Sequence, residues 1–505
     1  MKALNPSYRL PPPSLQLKTA WSLTSLSFFL ALNVHAQGRS LSLQTYLDQV
    51  RAKNPGLLSA VQAEEAARLK QEEADLVTAP RFFANTQWGK DSRQGLFFQY
   101  TSVSNDSYSF GVQQQTSFGM SAKLSYTLNR FEYIGLPEQF LLGNSILGAP
   151  FYEAAPSIEI SQSLWKNAFG SETRALEKQV RAGTEAQALG ETLKQKLNLV
   201  EAEATYWRLA LARETVKVAE ETLTRAKRLA DWSAKRAALG LGDRSDALQG
   251  QAAIRLRDLQ LKSAQDEERA ARQAFNTVRG QSGSQVPEAL DQLESMSANL
   301  PVKPARTFQG SSGEEVPVRE DLYAQEELLK TTEAAAEIGR ARNTPSLDVV
   351  AAASLFSREG NSSTALSNSF STEQPQIGAG IRFMMPLDFG SWMNARRGYQ
   401  KEIIAAETEL QKKKLELEQE WLDLNHRHQE SLERLKVAQS LETTQKEKSD
   451  FERDRLSRGR STTYQVLMFE EDYAQARLNR LRHQFEALSI AIRMKSFQPL
   501  AQNQE

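Results

Sequence analysis

The chain has 505 residues, 62 Lys and Arg balanced by 62 Asp and Glu, 40% hydrophobic residues and no cysteine. Zero net charge argues against nucleic acid as a partner, because phosphate-binding proteins carry a basic excess. The missing cysteine excludes disulfides, thiolate nucleophiles and thiolate metal sites.

At the N-terminus, Arg9 and Lys18 lead into an apolar stretch, Ala20 to Leu32, followed by Val34-His35-Ala36 and the polar Gln37. This pattern predicts a secretory signal peptide over 1–36, cleaved after Ala36. The apolar stretch falls short of the ~20 residues a spanning helix needs. No later stretch reaches that length without charges, so a membrane role has to rest on strands or surface contact.

From 37 to 282 the order is helix, strands, long helix, return helix. The first helix runs from Leu43 to about Val77. Strand segments then alternate: Ala122, Leu124, Tyr126 and Leu128 form an apolar face against the polar Ser121, Lys123, Ser125, Thr127 and Asn129. Phe82 to Trp88, Tyr108 to Val112, and Ile158 with Ile160 are weaker examples. A lipid-facing barrel wall and a half-buried soluble sheet both show this alternation.

The long helix follows, Ser171 to Leu239, with Leu193, Leu197, Val200, Ala204, Trp207 and Leu211 spaced by three and four. A return helix spans Asp243 to about Arg279. The segment 283–318, with Pro287, Pro301, Pro304 and Pro317, reads as a linker holding a short strand or helix at most.

The second repeat, 319–497, runs through the same order. A helix over Arg319 to Arg342 precedes strands at Val349 to Leu355 and Gln376 to Met385, a second long helix containing Leu417, Trp421 and Leu424, and a return helix over Thr462 to Phe497. Residues 498–505 read as a loose tail.

The repeats match in spacing. Phe169-Gly170 and Phe389-Gly390 open the long helices; Leu239-Gly240 and Arg458-Gly459 close them, giving 240 − 170 = 70 and 459 − 390 = 69 residues. At 1.5 Å per residue, such helices are ~105 Å long and must bury their stripes against other long helices. Each shorter helix is about half that length, so pairs stacked end to end match one long helix and make four columns per chain. Between its proline and its Phe-Gly pair, the first copy holds 170 − 80 = 90 residues and the second 390 − 345 = 45. Four to six strands per chain are too few to enclose water, because even eight leave an interior filled by side chains. A barrel built from them therefore needs several chains, and three would supply 12 to 18 strands.

Asn54-Pro55, Arg319-Glu320-Asp321-Leu322, Pro386-Leu387-Asp388-Phe389-Gly390 and Gly459-Arg460-Ser461-Thr462, in this order, spacing and duplication, make the mature chain resemble the TolC-family outer-membrane efflux proteins. The resemblance implies a mainly α fold with a membrane β-barrel. Four strands per protomer (six if the extra first-repeat residues form strands) and four helical columns would join in a homotrimer crossing the periplasm. It implies the outer-membrane channel of a tripartite efflux or type I secretion system, with a periplasmic adaptor, an inner-membrane transporter and outer-membrane lipid as partners, no cofactor and no catalysis. With no cysteine at the mature start, a lipoprotein anchor is not expected.

Family members narrow the tip with acidic rings near the sixth position after the turn glycine. Here that position is Asp246 after Gly240 and Gln465 after Gly459, and Met468 stands where a second acid would complete a double ring. Asp246 and Asp243, with Gln465, are the candidate gate residues; three Asp246 carboxylates around a pore would attract cations. The alternative is that Asp246, three residues after Asp243, caps the return helix. Gly240, Arg458, Gly459 and Arg460 are the candidate turn and adaptor contacts.

No catalytic or metal constellation is evident. His426 and His428 lie two apart and point to different helix faces. Gly240-Leu241-Gly242 follows a helix and lacks the Lys-Ser/Thr of a phosphate loop. A periplasmic adaptor or coiled-coil scaffold also uses long helical hairpins and is the competing reading. An adaptor carries one hairpin, whereas this chain has two, with strands at the opposite end.

Overall fold

The computed structural model describes residues 40–93, 100–136, 149–240, 242–292, 306–311, 313–373 and 375–499. The predicted signal peptide falls outside them, as do 137–148 of the longer first-half segment and 500–505 of the tail.

After the short strand β1 (Ser40–Leu41), α1 (Leu43–Lys53) is capped by the Ser42 hydroxyl, which accepts from the Thr45 N–H at 3.3 Å. The single first helix expected up to Val77 is broken. Pro55 has no N–H to continue α1, so Asn54 turns to an extended ψ of 117° and caps α2 (Pro55–Lys70) by accepting from Leu57 N–H at 2.8 Å. A 3-10 stretch, Gln71–Val77, ends the segment.

Four strands follow: β2 (Arg81–Asp91), β3 (Ser102–Gln115), β4 (Met120–Ile134) and β5 (Phe151–Ser163). The first long helix is α3 (Ser171–Ala238) and its return helix α4 (Arg244–Val278). The linker holds only β6 (Ala289–Leu290), β7 (Thr307–Gln309) and β8 (Glu315–Pro317) among the described residues; β6 pairs with β1, and β7 with β8. The second half contains α5 (Glu320–Asn343), β9 (Ser346–Ser354), β10 (Ser357–Glu359), α6 (Ser362–Asn368), β11 (Gln376–Met384), α7 (Phe389–Ser457) and α8 (Thr463–Met494).

The helices form the expected columns. The end of α4 meets the α1–α2 joint, where the Asn54 amide donates to Val278 C=O at 2.7 Å and Tyr46 stacks on Phe275 with ring centres 4.2 Å apart. The end of α8 meets the start of α5 through Leu322, Ile490, Met494 and Phe497. α3 packs against α2, α4, α5 and α8, while α7 packs against α5 and α8. α3 buries residues from Thr173 to Ser233, but no residue of α7 before Leu417 is buried.

The predicted α3 stripe is only partly inward. Trp207 is fully buried and Leu197 is 46% exposed, because neighbours on several sides bury small and polar residues such as Ala188, Ala202 and Thr205 instead. The main core lies midway along α3, where Tyr46, Tyr206, Trp207 and Phe275 cluster. The Tyr206 hydroxyl donates to Leu41 C=O at 2.7 Å and accepts from Asp291 N–H at 2.9 Å, and burial pushes its pKa up, keeping it neutral.

All but one of the strands of the main sheet follow the antiparallel order β11-β9-β5-β4-β3-β2, with β10 paired to β5 beside them. The register places Phe82, Phe110, Tyr126, Ile158, Ala353 and Ile377 on one face, together with Ala84, Val112, Leu124, Ile160, Ala351, Ala379 and Ile381. The other face carries Asn85, Gln87, Ser107, Ser109, Ser125, Thr127, Ser157 and Arg382. Sequence alternation on each strand thus becomes one apolar and one polar surface. Among the described residues, β2 and β11 are free edges, and no helix is long and apolar enough to cross a membrane.

Candidate periplasmic gate

At the ends of α3 and α7 farthest from the sheet, the chain reverses at two glycines. Gly240 has φ +73° and Gly459 φ +72°, and a Cβ on either would meet no atom within 4 Å. The glycines are needed for backbone handedness, not for space. Arg460 N–H bonds to Arg455 C=O and Gly459 N–H to Leu456 C=O, each at 2.9 Å, which closes the end of α7 in the six-to-one and five-to-two pattern typical of a left-handed helix stop. Gly240 N–H bonds to Ala237 C=O at 3.1 Å in the same way.

The return helices start with side-chain caps. Asp243, not Asp246, caps α4: its carboxylate accepts from the Ser245 N–H at 3.0 Å. Asp246 lies in the first turn, half-buried, with no hydrogen bond or ion pair to its carboxylate among the described residues. Thr462 caps α8. It accepts from the Gln465 N–H at 3.3 Å, and the Gln465 side-chain oxygen accepts from the Thr462 N–H at 3.4 Å. Asp246 and Gln465 hold the same position in the two return helices, and Gln465 is used to cap its own helix. Arg458 pairs with Asp454 at 2.7 Å, one turn back on α7.

Behind the second tip lies a charged network absent from the sequence reading. Arg453 reaches from α7 to the buried Glu470 of α8 at 3.0 Å, Arg455 pairs with the buried Glu452 at 3.2 Å, and the Ser461 hydroxyl donates to Glu452. Arg257 of α4 meets Glu471 of α8, tying the two halves together. An apolar-floored cleft of about 320 Å³, bounded by Arg228, Leu229, Trp232, Leu456, Val466 and Glu470, separates the ends of α3 and α7. Repeated Glu and Arg spaced by three or four was the only sequence signal, and it does not reveal partners on other helices. Farther up, Arg477 of α8 bonds to Glu221 and Glu214 of α3 at 2.6 and 3.3 Å, and Lys495 to both oxygens of the buried Glu203 at 2.6 and 2.7 Å.

His426 is exposed and lies 3.4 Å from Glu430, and no group of three His, Asp or Glu able to hold a metal occurs among the described residues.

Paired rods reversing at capped tips, with an antiparallel sheet at their opposite ends, form a fold shared with several solved structures. The chain resembles the solved outer-membrane channel OprN at 17% identity, covering 90% of this chain and 89% of that one with a TM-score of 0.62. The outer membrane protein VceC of Vibrio cholerae matches at 13% identity, 90% and 95% coverage and TM-score 0.62. The Neisseria gonorrhoeae MtrE outer membrane channel, in its open state, matches at 17%, 90% and 88%, and 0.60. By sequence, no protein-family model and no curated protein matches. The likeness is one of fold, and it matches the mainly helical architecture with a sheet portion that the resemblance to TolC-family channels implies; within the single chain the sheet is open.

Proposed function

We propose that this chain is one protomer of a homotrimeric outer-membrane channel, a passive exit duct for a tripartite efflux or type I secretion system. The observation that carries the reading is the sheet whose apolar face continues in register from β2 to β11, set at the end of rods ~100 Å long. Such a face, turned to lipid with the polar face lining water, supports a sheet set in the outer membrane and rods reaching into the periplasm. A single-hairpin adaptor has no use for so broad an apolar wall.

The turns at Gly240 and Gly459 then form the periplasmic mouth, where a partner adaptor would meet Arg458, Arg460 and the neighbouring tip. In a trimer, Asp246 would recur three times around the mouth. Because Asp243 is the cap, the Asp246 carboxylate is left for the pore. An inner-membrane transporter would supply both energy and selection, with the duct contributing only a route.

Fractionation and planar-bilayer recording test this. A heat-modifiable trimer in the outer membrane that gives discrete conductance steps is expected. A soluble periplasmic monomer without conductance would refute it.

A further inference from the structure

We infer that the barrel wall is built from eighteen strands, six from each of three chains, and not from the twelve that four strands per chain would give. The inference rests on the trimeric reading above. The additional residues of the first half fold as β3 and β4, inserted between β2 and β5 and paired along their lengths: β3 to β2 from Gln113 to Val103, β4 to β5 from Met120 to Phe131. They are members of the wall, not an outer loop.

Their side chains obey the same partition. Tyr108, Phe110 and Val112 of β3 and Leu124, Tyr126 and Leu128 of β4 continue the apolar face between Phe82 and Ile158. Ser107 and Ser109, with Ser125 and Thr127, continue the polar one. With 14 and 15 residues, both strands exceed the ~9–11 that cross a bilayer. Tyr108 lies in the last apolar row, and the next row holds Trp88 beside Asp106 and Arg130, with Arg130 paired to Asp106 at 3.2 Å and to Glu132 at 2.6 Å, as at a lipid–water boundary.

The turn joining β3 and β4 is fixed at the helix end of the wall. A Cβ at Gly119 would lie 2.3 Å from Asn167 C=O, and one at Gly170 only 1.8 Å from Ser117 C=O, so the turn is pressed onto the start of α3. An added hairpin that dangled outside would not be locked to the rod.

Closure follows from the edges. In lipid, every backbone N–H and C=O needs a partner, so the free edges of β2 and β11 cannot stay open. They cannot close on each other within one chain either, because so few strands cannot surround a lumen. β2 runs away from the helices and β11 toward them, so β2 of one copy fits β11 of the next as an antiparallel pair. The helical edges coincide: α2 and α4 lie on the β2 side, and α7 on the β11 side. Repeated head to tail, the contact closes a ring. Since barrel diameter grows roughly linearly with strand number, eighteen strands give a wall about 1.5-fold wider than twelve. The outer opening then never limits cargo size, which leaves that to the periplasmic tip.

A density map of the full-length protein purified in nanodiscs decides the count. Eighteen strands shared by three chains are expected. Twelve, with β3 and β4 outside the wall, would overturn the inference while leaving the trimeric duct standing; a sheet closing within one chain would overturn both. The seam is checked by disulfide formation, which the absence of native cysteine makes clean. Ala84→Cys combined in turn with Ala379→Cys, Ile381→Cys or Phe383→Cys should give inter-chain ladders ending at three. No ladder, while the register pair Ala84→Cys with Phe110→Cys still cross-links within the chain, would refute the β2–β11 seam.

Discussion

The two long helices, α3 with 68 residues and α7 with 69, are near copies in length and opposite in circumstance. α3 is enclosed by helices from both halves of the chain, and its alanines let them approach closely. α7 forms one side of the protomer and leaves Met393, Ile404, Leu415 and Val437 exposed by 46, 51, 49 and 69%. Those residues lie 11, 11 and 22 apart, so multiples of eleven align them along one face of a nearly straight helix. Equal rods with unequal surroundings show that the repeat sets the lengths, while position among the helices of the chain decides what each rod buries. α3 is enclosed within the chain, whereas in the proposed trimer α7 would meet a neighbouring copy.

Substitutions can break this contrast, the largest effect coming from the enclosed helix. Trp207→Ala should lower chain stability by about 3–5 kcal/mol, measured as a shift of the denaturant midpoint. Val437→Asp on α7 should change that midpoint by less than about 0.5 kcal/mol yet shift the trimer toward monomers in size-exclusion chromatography. Equal destabilisation by both would erase the distinction.

Next come the ion pairs. Lys495→Ala leaves Glu203, with 5% of its side chain exposed, buried and uncompensated, and should cost about 2–3 kcal/mol. Lys178→Ala removes a pair to Glu333 whose side chains are 48 and 41% exposed, and should cost under about 1 kcal/mol. Similar losses in thermal melts would show that burial is not what makes the α3–α8 contact matter.

At the tips the halves should behave alike. Gly459→Val and Gly240→Val each force a β-branched residue to positive φ and should cost about 1–2 kcal/mol, with open space around both sites. A large difference between the two would mean that one turn is held by contacts the other lacks.

The smallest effect separates the equivalent candidate gate positions, Asp246 and Gln465. Asp246→Asn should lower cation preference in bilayer recordings with little change in stability, whereas Gln465→Asn should weaken the α8 cap without changing selectivity. Unchanged selectivity for Asp246→Asn would remove it from the pore.

Much of the fold was legible because periodicity over long stretches is a strong signal. The expected helix over Ser171 to Leu239 is found as Ser171–Ala238, and the Phe-Gly and turn glycines mark real boundaries. Identical dipeptides nevertheless adopt different conformations. Phe169 and Gly170 are left-handed, at φ 48° and 78°, with the β3–β4 turn pressed onto Gly170, whereas Phe389 and Gly390 are already helical. The longer first half was visible in the sequence, but its role depended on register across strands, which no single strand's alternation contains. The network around Glu452 and Glu470 and the pairing of Arg477 with Glu221, 256 residues away, were not legible, since charges spaced along a helix do not name partners on another. The cap at Asp243 instead of Asp246 turned on a shift of three residues that the motif left open.

In the proposed channel a single chain is an open stave completed only by copies of itself. The mass of the detergent-solubilised particle by native mass spectrometry tests it most directly. Three chains per particle are predicted, and a stable, monodisperse single-chain particle would contradict it.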